Sequence, residues 1–367
     1  MSNFKKDDII LLIGAGASVD ARIPASEQMI QHLEEKLLGD WQEFRDLYNL
    51  IRSAIYYGDG VGGRFDHKVV FNIERLVNAL DELDKKTEHP LYPFIGSWNT
   101  RLLELGGVGF ELIAQLKNKI LVELTERWLK PDYWVQASYY KGIENFIKGG
   151  GSVQKGYSFP LRVFSLNYDL CVEETCKDVR IERGFSREEA RAWDWRLFDD
   201  NEDDPKDIFL YKLHGSIDWQ RNVDGTTIYL DNYPKIKIGQ LAIIFGTNYK
   251  LQYLDPFLFF AYEFRRWSLE SRLVVAVGYG FGDEHINGIL GQALMLSRER
   301  KLLAIAPCNI EEKRQEIASA LKIQKSEQIV VWNYSAKEFF STQFNVDRLQ
   351  ELFPVEENLF GEFQVDL

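Results

Sequence analysis

The stretch Ile9-Ile10-Leu11-Leu12-Ile13, followed by Gly14-Ala15-Gly16-Ala17-Ser18, decides the fold of this chain. An unbroken apolar run of this length suits a strand buried on both faces, as in a parallel sheet. Glycines directly after such a strand let backbone N–H groups approach a phosphate closely, although a tight strand-to-helix turn also needs glycine. The stretch therefore predicts a buried first strand, followed by either a phosphate-binding loop or a tight turn.

Strand and helix patterns alternate along much of the remaining chain. Apolar runs predict strands at residues 161–166, 208–213, 241–245, 272–277, 302–306 and 329–332, and helical patterns lie at 256–269, 283–296 and 310–321. This alternation is typical of an α/β fold with a doubly wound, Rossmann-like parallel sheet. Because the region from about 60 to 155 shows helical periodicity without a convincing strand, we expect a discontinuous Rossmann-like domain over 1–58 and 156–345. A helical insertion over 59–155 and a C-terminal tail over 346–367 complete the predicted organisation.

Composition excludes several classes of protein. The chain has 367 residues and a net charge of −12 without a long basic run, so we expect no direct binding to nucleic acid. Cys171, Cys176 and Cys308 lack the spacing of a disulfide framework or a zinc site. The apolar run at residues 9–13 is too short for a signal sequence or a membrane span. We therefore expect a cytoplasmic protein that does not contact membranes.

Polar residues follow two of the later strands. Asn167 and Asp169 come after the strand at 161–166, and His214 comes directly after the strand at 208–213. The carboxyl ends of strands in a doubly wound sheet face the ligand crevice, and histidine can act as a general base near neutral pH. Asn167 or Asp169 could instead cap the helix that begins near Leu170.

A glycine-rich string follows the strand at 272–277: Gly278-Tyr279-Gly280-Phe281-Gly282-Asp283-Glu284-His285-Ile286-Asn287. It predicts a second strand-end loop that lines a dinucleotide, with helix capping by Asp283 as the simpler alternative. His285 has no Cys or His partner at metal-ligand spacing, so we expect no metal.

Taken in order, these motifs resemble the sirtuin superfamily. The matching segments are Gly14–Ser18, Asn167-Tyr168-Asp169, His214-Gly215 and Val277-Gly278-Tyr279, and Ile243-Ile244-Phe245-Gly246 looks like the sirtuin Val-x-Phe-Gly segment. The resemblance covers roughly residues 8–40 and 160–335 and implies a sirtuin-like fold that binds NAD.

Two departures separate the chain from protein-deacylating sirtuins. Their Pro-Asp-Phe-Arg segment is missing, because Ile23-Pro24 is followed by Ala25-Ser26-Glu27, and their four-cysteine zinc module is missing, because residues 216–230 contain no cysteine. In these respects the chain resembles the stand-alone sirtuin-like, NAD-hydrolysing effectors of bacterial antiphage defence that pair with a HerA-type ATPase.

This resemblance implies an NAD⁺ glycohydrolase that uses NAD as substrate and acts as a gated homo-oligomer beside a HerA-type ATPase. Asn167 and His214 would be the catalytic residues. The residues that would bind NAD are Gly14, Ala15, Gly16, Ser18, Asp169, Gly278 and Tyr279. Within that set, the loop amides would hold the pyrophosphate, Asp169 would bind the nicotinamide carboxamide, and Gly278 and Tyr279 would line the adenosine side.

Two other functions remain open at this stage. One is an NAD-dependent protein deacylase or ADP-ribosyltransferase. The missing zinc cysteines count against it, and so does the helical insertion, which replaces the small domain that helps form the acyl-lysine tunnel of deacylating sirtuins. The other is a non-catalytic module that senses a nucleotide, in which Asn167 and His214 would serve only as ligand contacts.

Overall fold

The computed structural model describes residues 4–63, 71–84, 100–107, 110–149, 156–186, 191–199, 203–231, 238–245, 254–324 and 326–353. Its strands are β1 (Ile9–Ile13), β2 (Leu161–Ser165), β3 (Ile181–Glu182), β4 (Ile208–Lys212), β5 (Gly215–Arg221), β6 (Thr227–Tyr229), β7 (Leu241–Ile243), β8 (Leu273–Val277), β9 (Lys301–Ile305) and β10 (Ile329–Trp332).

A parallel sheet of seven strands forms the centre, in the order β10-β9-β8-β1-β2-β4-β3. Every residue of β1, β2, β4 and β8 is buried, which explains why their sequences are almost continuously apolar. Helices flank the sheet, so the predicted Rossmann-like, doubly wound α/β fold is confirmed.

The strand order reverses at β1, which lies between β2 and β8. Ile13 pairs with Ser165 of β2 on one side and with Val277 of β8 on the other. A reversal of this kind opens a crevice beyond the carboxyl ends of the strands, where open α/β sheets bind their ligands. The loops that follow β1, β2 and β8 therefore all begin at this crevice.

One predicted strand belongs to a different sheet. Residues 241–245 were expected in the parallel sheet, but β7 pairs antiparallel with β5 in a separate sheet of order β6-β5-β7. The chain leaves the main sheet at Gly215, which has a φ of +85° and packs so tightly on Ala242 that an added Cβ would lie 2.1 Å from its carbonyl oxygen. Both β6 and β7 therefore lie against β5, outside the main sheet.

The helices are α1 (Ser26–Leu37), α2 (Arg45–Val61), α3 (Ile73–Asp84), α4 (Thr100–Gly106), α5 (Glu111–Glu123), α6 (Tyr133–Gln136), α7 (Lys141–Lys148), α8 (Cys171–Thr175), α9 (Phe257–Glu270), α10 (Glu284–Leu296), α11 (Ile310–Ala320), α12 (Ala336–Glu338) and α13 (Val346–Gln350). Shorter turns of 3-10 helix lie at Ala15–Ala21, Gln42–Phe44, Ser138–Tyr140, Trp195–Phe198 and Ile238–Gln240, and π-helical turns at Leu124–Trp128 and Phe339–Gln343.

The helices that connect β1 to β2 share a core with the sheet. Leu116 of α5 and Tyr140 belong to the same buried cluster as Leu11 of β1. The described parts of the segment 59–155 thus share one hydrophobic core with the Rossmann-like sheet. The predicted C-terminal tail begins with α13, whose Val346 and Leu349 are buried, and residues 354–367 lie outside the described range.

Candidate active site

The loop after β1 packs against the loop after β8 through direct backbone contacts. The amide of Gly14 donates to the carbonyl of Val277 (3.0 Å), and the amide of Gly16 donates to the carbonyl of Gly278 (2.9 Å). A Cβ on Gly14 would lie 2.7 Å from the Gly278 carbonyl oxygen, and one on Gly278, whose φ is +63°, would lie 2.0 Å from the amide nitrogen of Ala17. Glycine is therefore required at these positions because two backbones touch.

These contacts change the expected role of the loop amides. The amides of Gly14 and Gly16 already donate to β8 and its loop, and that of Ala17 donates to Gly14. They are therefore not available as a set to bind a pyrophosphate. Ala15 and Gly16 are the exposed members of the loop, and Ala15 begins the 3-10 helix, in whose first turn amides have no partner within the helix.

Ser18 is the centre of a buried hydrogen-bonded group, which we call the Ser18 cluster (Ser18, Tyr140, Asn167 and Asp169). The Ser18 hydroxyl is completely buried and donates to Oδ2 of Asp169 at 2.8 Å. It lies 3.0 Å from Nδ2 of Asn167 and 2.9 Å from the Tyr140 hydroxyl, both of which can donate to it. Burial raises the pKa of Tyr140 well above its usual range, so this phenol keeps its proton. Ser18 thus uses its single donor and both of its acceptor positions.

Asn167 has a fixed side chain with an unused acceptor. Its Nδ2 donates to the carbonyl of Gly14 and to Ser18, each at 3.0 Å, and its backbone amide donates to the Ser165 hydroxyl at 3.1 Å. The Oδ1 atom is buried and has no hydrogen-bond partner among the described residues. A buried polar atom without a partner is unfavourable, so it marks a place where a ligand or water is expected to bind.

His214 lies between β4 and β5 and contacts a buried carboxylate. Its Nε2 is 3.3 Å from Oδ2 of Asp283, and both side chains are almost fully buried. The His214 carbonyl accepts from the amide of Ile244 (2.9 Å), and the carbonyl of Ile244 accepts from the Tyr168 hydroxyl (2.7 Å). The histidine is therefore tied to the Asn167-Tyr168-Asp169 segment through Ile244.

Asp169 has a supporting position in this arrangement. Its Oδ2 accepts from Ser18, its Oδ1 accepts from the amide of Cys171 at 3.0 Å, and the residue is 4% exposed. The buried Lys212 donates to the Asp169 carbonyl and lies 3.4 Å from Oε1 of Glu173. Burial raises the pKa of Glu173. Both carboxylate oxygens of Asp169 thus already accept a hydrogen bond within the protein, and its contact with the nicotinamide carboxamide stays a prediction.

Tyr279 points into the protein. Its hydroxyl donates to Oδ1 of Asn287 (2.8 Å) and approaches the carbonyl of Asp283 (3.2 Å), and its ring packs on Phe281 at 4.5 Å. The side chain therefore anchors the start of α10.

Sequence reasoning missed three contributors to this site. Asp283 was considered only as a helix cap, although its place after a glycine-rich strand end was a usable signal. Tyr139 and Tyr140 gave no such signal, because both lie in the segment expected to be a separate insertion. The Tyr139 hydroxyl donates to the carbonyl of Ala17 at 2.6 Å, directly beside the Tyr140 contact with Ser18.

The described ranges contain neither a cluster of metal-ligating side chains nor a helix that could span a membrane. No group of three or more His, Cys, Asp and Glu side chains is arranged there to hold a metal ion. No helix in those ranges combines the length and the apolar character needed to cross a membrane.

Comparison with known proteins agrees with the sirtuin resemblance. The family model of the SIR2-like domain matches residues 161–329, somewhat less than half of the chain. The matched range contains Asn167, Asp169, His214 and Gly278, whereas Gly14–Ser18 lies before it. Gly246, the last residue of the Val-x-Phe-Gly-like segment, lies outside the described residues. No curated protein matches the chain in sequence.

Several solved structures are similar to the chain. A mutant Sir2 homologue bound to 2'-O-acetyl ADP ribose has 13% identity and a TM-score of 0.43, covering 95% of this chain and 94% of its own. A Sir2 homologue in complex with NAD has 13% identity and a TM-score of 0.42, covering 94% of this chain and 89% of its own. A mutant Sir2 homologue bound to ADP ribose has 13% identity and a TM-score of 0.41, covering 95% and 94%.

Proposed function

We propose that this protein is an NAD⁺ glycohydrolase, which cleaves the bond between nicotinamide and ribose to release nicotinamide and ADP-ribose. The observation that carries the proposal is the unpartnered Oδ1 of Asn167, held in place by its own amide nitrogen. The match to the SIR2-like domain supports NAD as the substrate.

The chemistry requires positioning more than a strong acid. The leaving nicotinamide is a pyridinium cation, so the electron pair of the breaking C–N bond neutralises it as the ribose gains oxocarbenium character. A fixed acceptor such as Oδ1 of Asn167 can hold the attacking water or a ribose hydroxyl, and it stabilises positive charge on the sugar. Because both anchors of Nδ2 are inside the protein, this orientation needs no rearrangement when substrate binds.

His214 is the proposed general base. As water attacks the sugar carbon, His214 accepts one proton from it, and the oxygen remains as the new hydroxyl of ADP-ribose. Neutral imidazole becomes imidazolium in this step, next to the carboxylate of Asp283 at 3.3 Å. The proton is then released to solvent.

The remaining predicted site residues receive narrower roles. We assign the pyrophosphate contact to the exposed backbone of Ala15, beside Gly16, whose own amide donates to Gly278. We assign adenosine contacts to the backbone of Gly278 and Tyr279. Gly14 and Ser18 hold Asn167 through its amide nitrogen. Asp169 supports the site by holding Ser18, and the carboxamide contact that the sirtuin resemblance implied stays a prediction.

The biological setting is proposed from the sequence resemblance alone. Uncontrolled hydrolysis of NAD would kill the cell, so we propose a gated effector that depletes cytoplasmic NAD during bacterial antiphage defence. Its gate would be a homo-oligomer together with a HerA-type ATPase partner.

The test measures nicotinamide after NAD is incubated with the purified protein, with and without the partner. We expect release by the wild type, and losses of about 100-fold or more in Asn167→Ala and in His214→Ala. The matched control is His32→Ala, which removes an exposed histidine on α1. No nicotinamide under either condition would refute hydrolysis, and NAD binding without turnover would favour a sensor. Release that requires an acetyl-lysine peptide would favour a deacylase.

A further inference from the structure

We infer that Asp283 is a positioning residue for His214: its carboxylate sets the tautomer of the imidazole and stabilises the imidazolium formed during turnover. The inference deepens the proposed hydrolase function and rests on it. It begins from the 3.3 Å contact between Nε2 of His214 and Oδ2 of Asp283. If Nε2 carries its proton towards this carboxylate, the lone pair of the neutral ring lies on Nδ1, which is then the basic atom.

The two oxygens of Asp283 have separate partners. Oδ1 caps α10 by accepting from the amides of His285 (3.0 Å) and Ile286 (3.4 Å), while Oδ2 faces His214. The Asp283 carbonyl accepts from the amide of Asn287 (2.9 Å). The carboxylate is therefore held from both sides, at the positive end of the dipole of a helix of 13 residues.

Capping alone does not account for a buried aspartate here. Asn309 caps α11 in the same way, accepting from the amides of Glu311 (3.1 Å) and Glu312 (3.3 Å), and it is exposed and uncharged. Asp283 is only 5% exposed, and burying a charge is unfavourable unless it is paired. The charge is explained by its other oxygen, which supplies the buried imidazole with an anionic partner.

The chemical consequence resembles that of any base oriented by a carboxylate. A partner on one ring nitrogen prevents the imidazole from adopting the wrong tautomer and rotating away. It also stabilises the imidazolium at the moment when His214 has taken a proton from water. Both effects favour the transition state over the bound substrate, so their loss lowers kcat more than it changes KM.

The test is Asp283→Asn, because asparagine keeps a capping oxygen for α10 but loses the charge. We expect kcat to fall about 100-fold or more, with KM changed by less than about threefold. The ¹⁵N NMR signals of the His214 ring should show the Nε2–H tautomer in the wild type and a changed tautomer in the variant. The double variant Asp283→Asn/His214→Ala should be no less active than His214→Ala alone, because both act on one step. The matched control Asn309→Asp exchanges the same two residue types at the cap of α11 and should leave kcat unchanged.

Each outcome decides between the two claims. Wild-type kcat in Asp283→Asn, while His214→Ala is inactive, would overturn the positioning role. A variant that loses activity and stability together while the His214 tautomer is unchanged would also overturn it, because that result indicates capping alone. If the wild type cleaves no NAD, the proposed function fails, and the NMR comparison still tests the contact between Asp283 and His214.

Discussion

The Ser18→Ala substitution tests whether the Ser18 cluster stabilises the protein. Ser18 is completely buried, and its hydroxyl contacts Asn167, Asp169 and Tyr140 at 2.8 to 3.0 Å. Asn167 would keep its bond to Gly14, but Oδ2 of Asp169 would lose a donor and the Tyr140 hydroxyl would lose its acceptor. A hydrogen bond to a charged group contributes about 1.5–3 kcal/mol, and an unsatisfied buried hydroxyl costs about 1–3 kcal/mol. We therefore expect the free energy of unfolding to fall by about 3–5 kcal/mol.

Ser268→Ala is the matched control, because it removes the same group from an equally buried site. Ser268 lies in α9 with no exposed surface, and its hydroxyl makes no hydrogen bond to any residue that the structure describes. Its loss removes an unpaired hydroxyl and improves helix propensity, so stability should stay the same or rise by up to about 1 kcal/mol.

The assay is equilibrium unfolding in urea, with the wild type and both variants measured side by side. The expected result is a clear loss of stability in Ser18→Ala only. If the free energies of unfolding of the two variants differ by less than about 1 kcal/mol, the hydrogen bonds of Ser18 do not contribute what their geometry indicates. The Ser18 cluster could then not be said to hold Asn167 in place.

Two further predictions concern the packing of the loops and of the thiols. Gly278→Ala should destabilise the protein by about 3 kcal/mol or more, since its φ is +63° and its Cβ would meet the backbone of Ala17 at 2.0 Å. Gly280 has open space around it, so Gly280→Ala should change the free energy of unfolding in urea by less than about 1 kcal/mol. Equal losses of stability in Gly278→Ala and Gly280→Ala would contradict the close contact between Gly278 and Ala17. Burial raises the pKa of Cys176 to about 12, so at pH 8 this thiol carries almost no thiolate and should react with a disulfide reagent only after unfolding. The partly exposed Cys308 should react in the native protein, and Cys308→Ser should remove that signal; labelling of native Cys308→Ser would refute the assignment.

The sequence by itself determined the central strands and the residues at their ends. Five consecutive apolar residues before Gly14 can be buried on both faces only inside a layered sheet, and the same logic identified β2, β4, β8, β9 and β10. Because carboxyl ends of parallel strands meet at one edge, Asn167 and Gly278 could be placed near the first loop from sequence, and both contact it in the structure. These inferences succeeded because burial on both faces leaves a local apolar pattern, and because alternation with helices indicates parallel strands.

Such reasoning could not predict that β7 belongs to the small antiparallel sheet and not to the main parallel sheet. Residues 241–243 carry an ordinary strand pattern, but their partner is selected by the reversal at Gly215 and its close approach to Ala242. A short apolar run indicates that a segment is extended and buried. It does not indicate which neighbouring strand forms hydrogen bonds with that segment.

Only the tertiary structure decided which side chains act together. Tyr140 meets Ser18 across 122 positions of sequence, and the carboxylate of Asp283 meets the imidazole of His214 from the other side of the sheet reversal. The glycines after β1 are likewise explained by the backbone of the loop after β8, where a ligand had been expected to require them. Hydrogen bonds and close contacts depend on positions to within a fraction of an ångström, which the packing of the whole chain sets and which no local pattern of residues encodes.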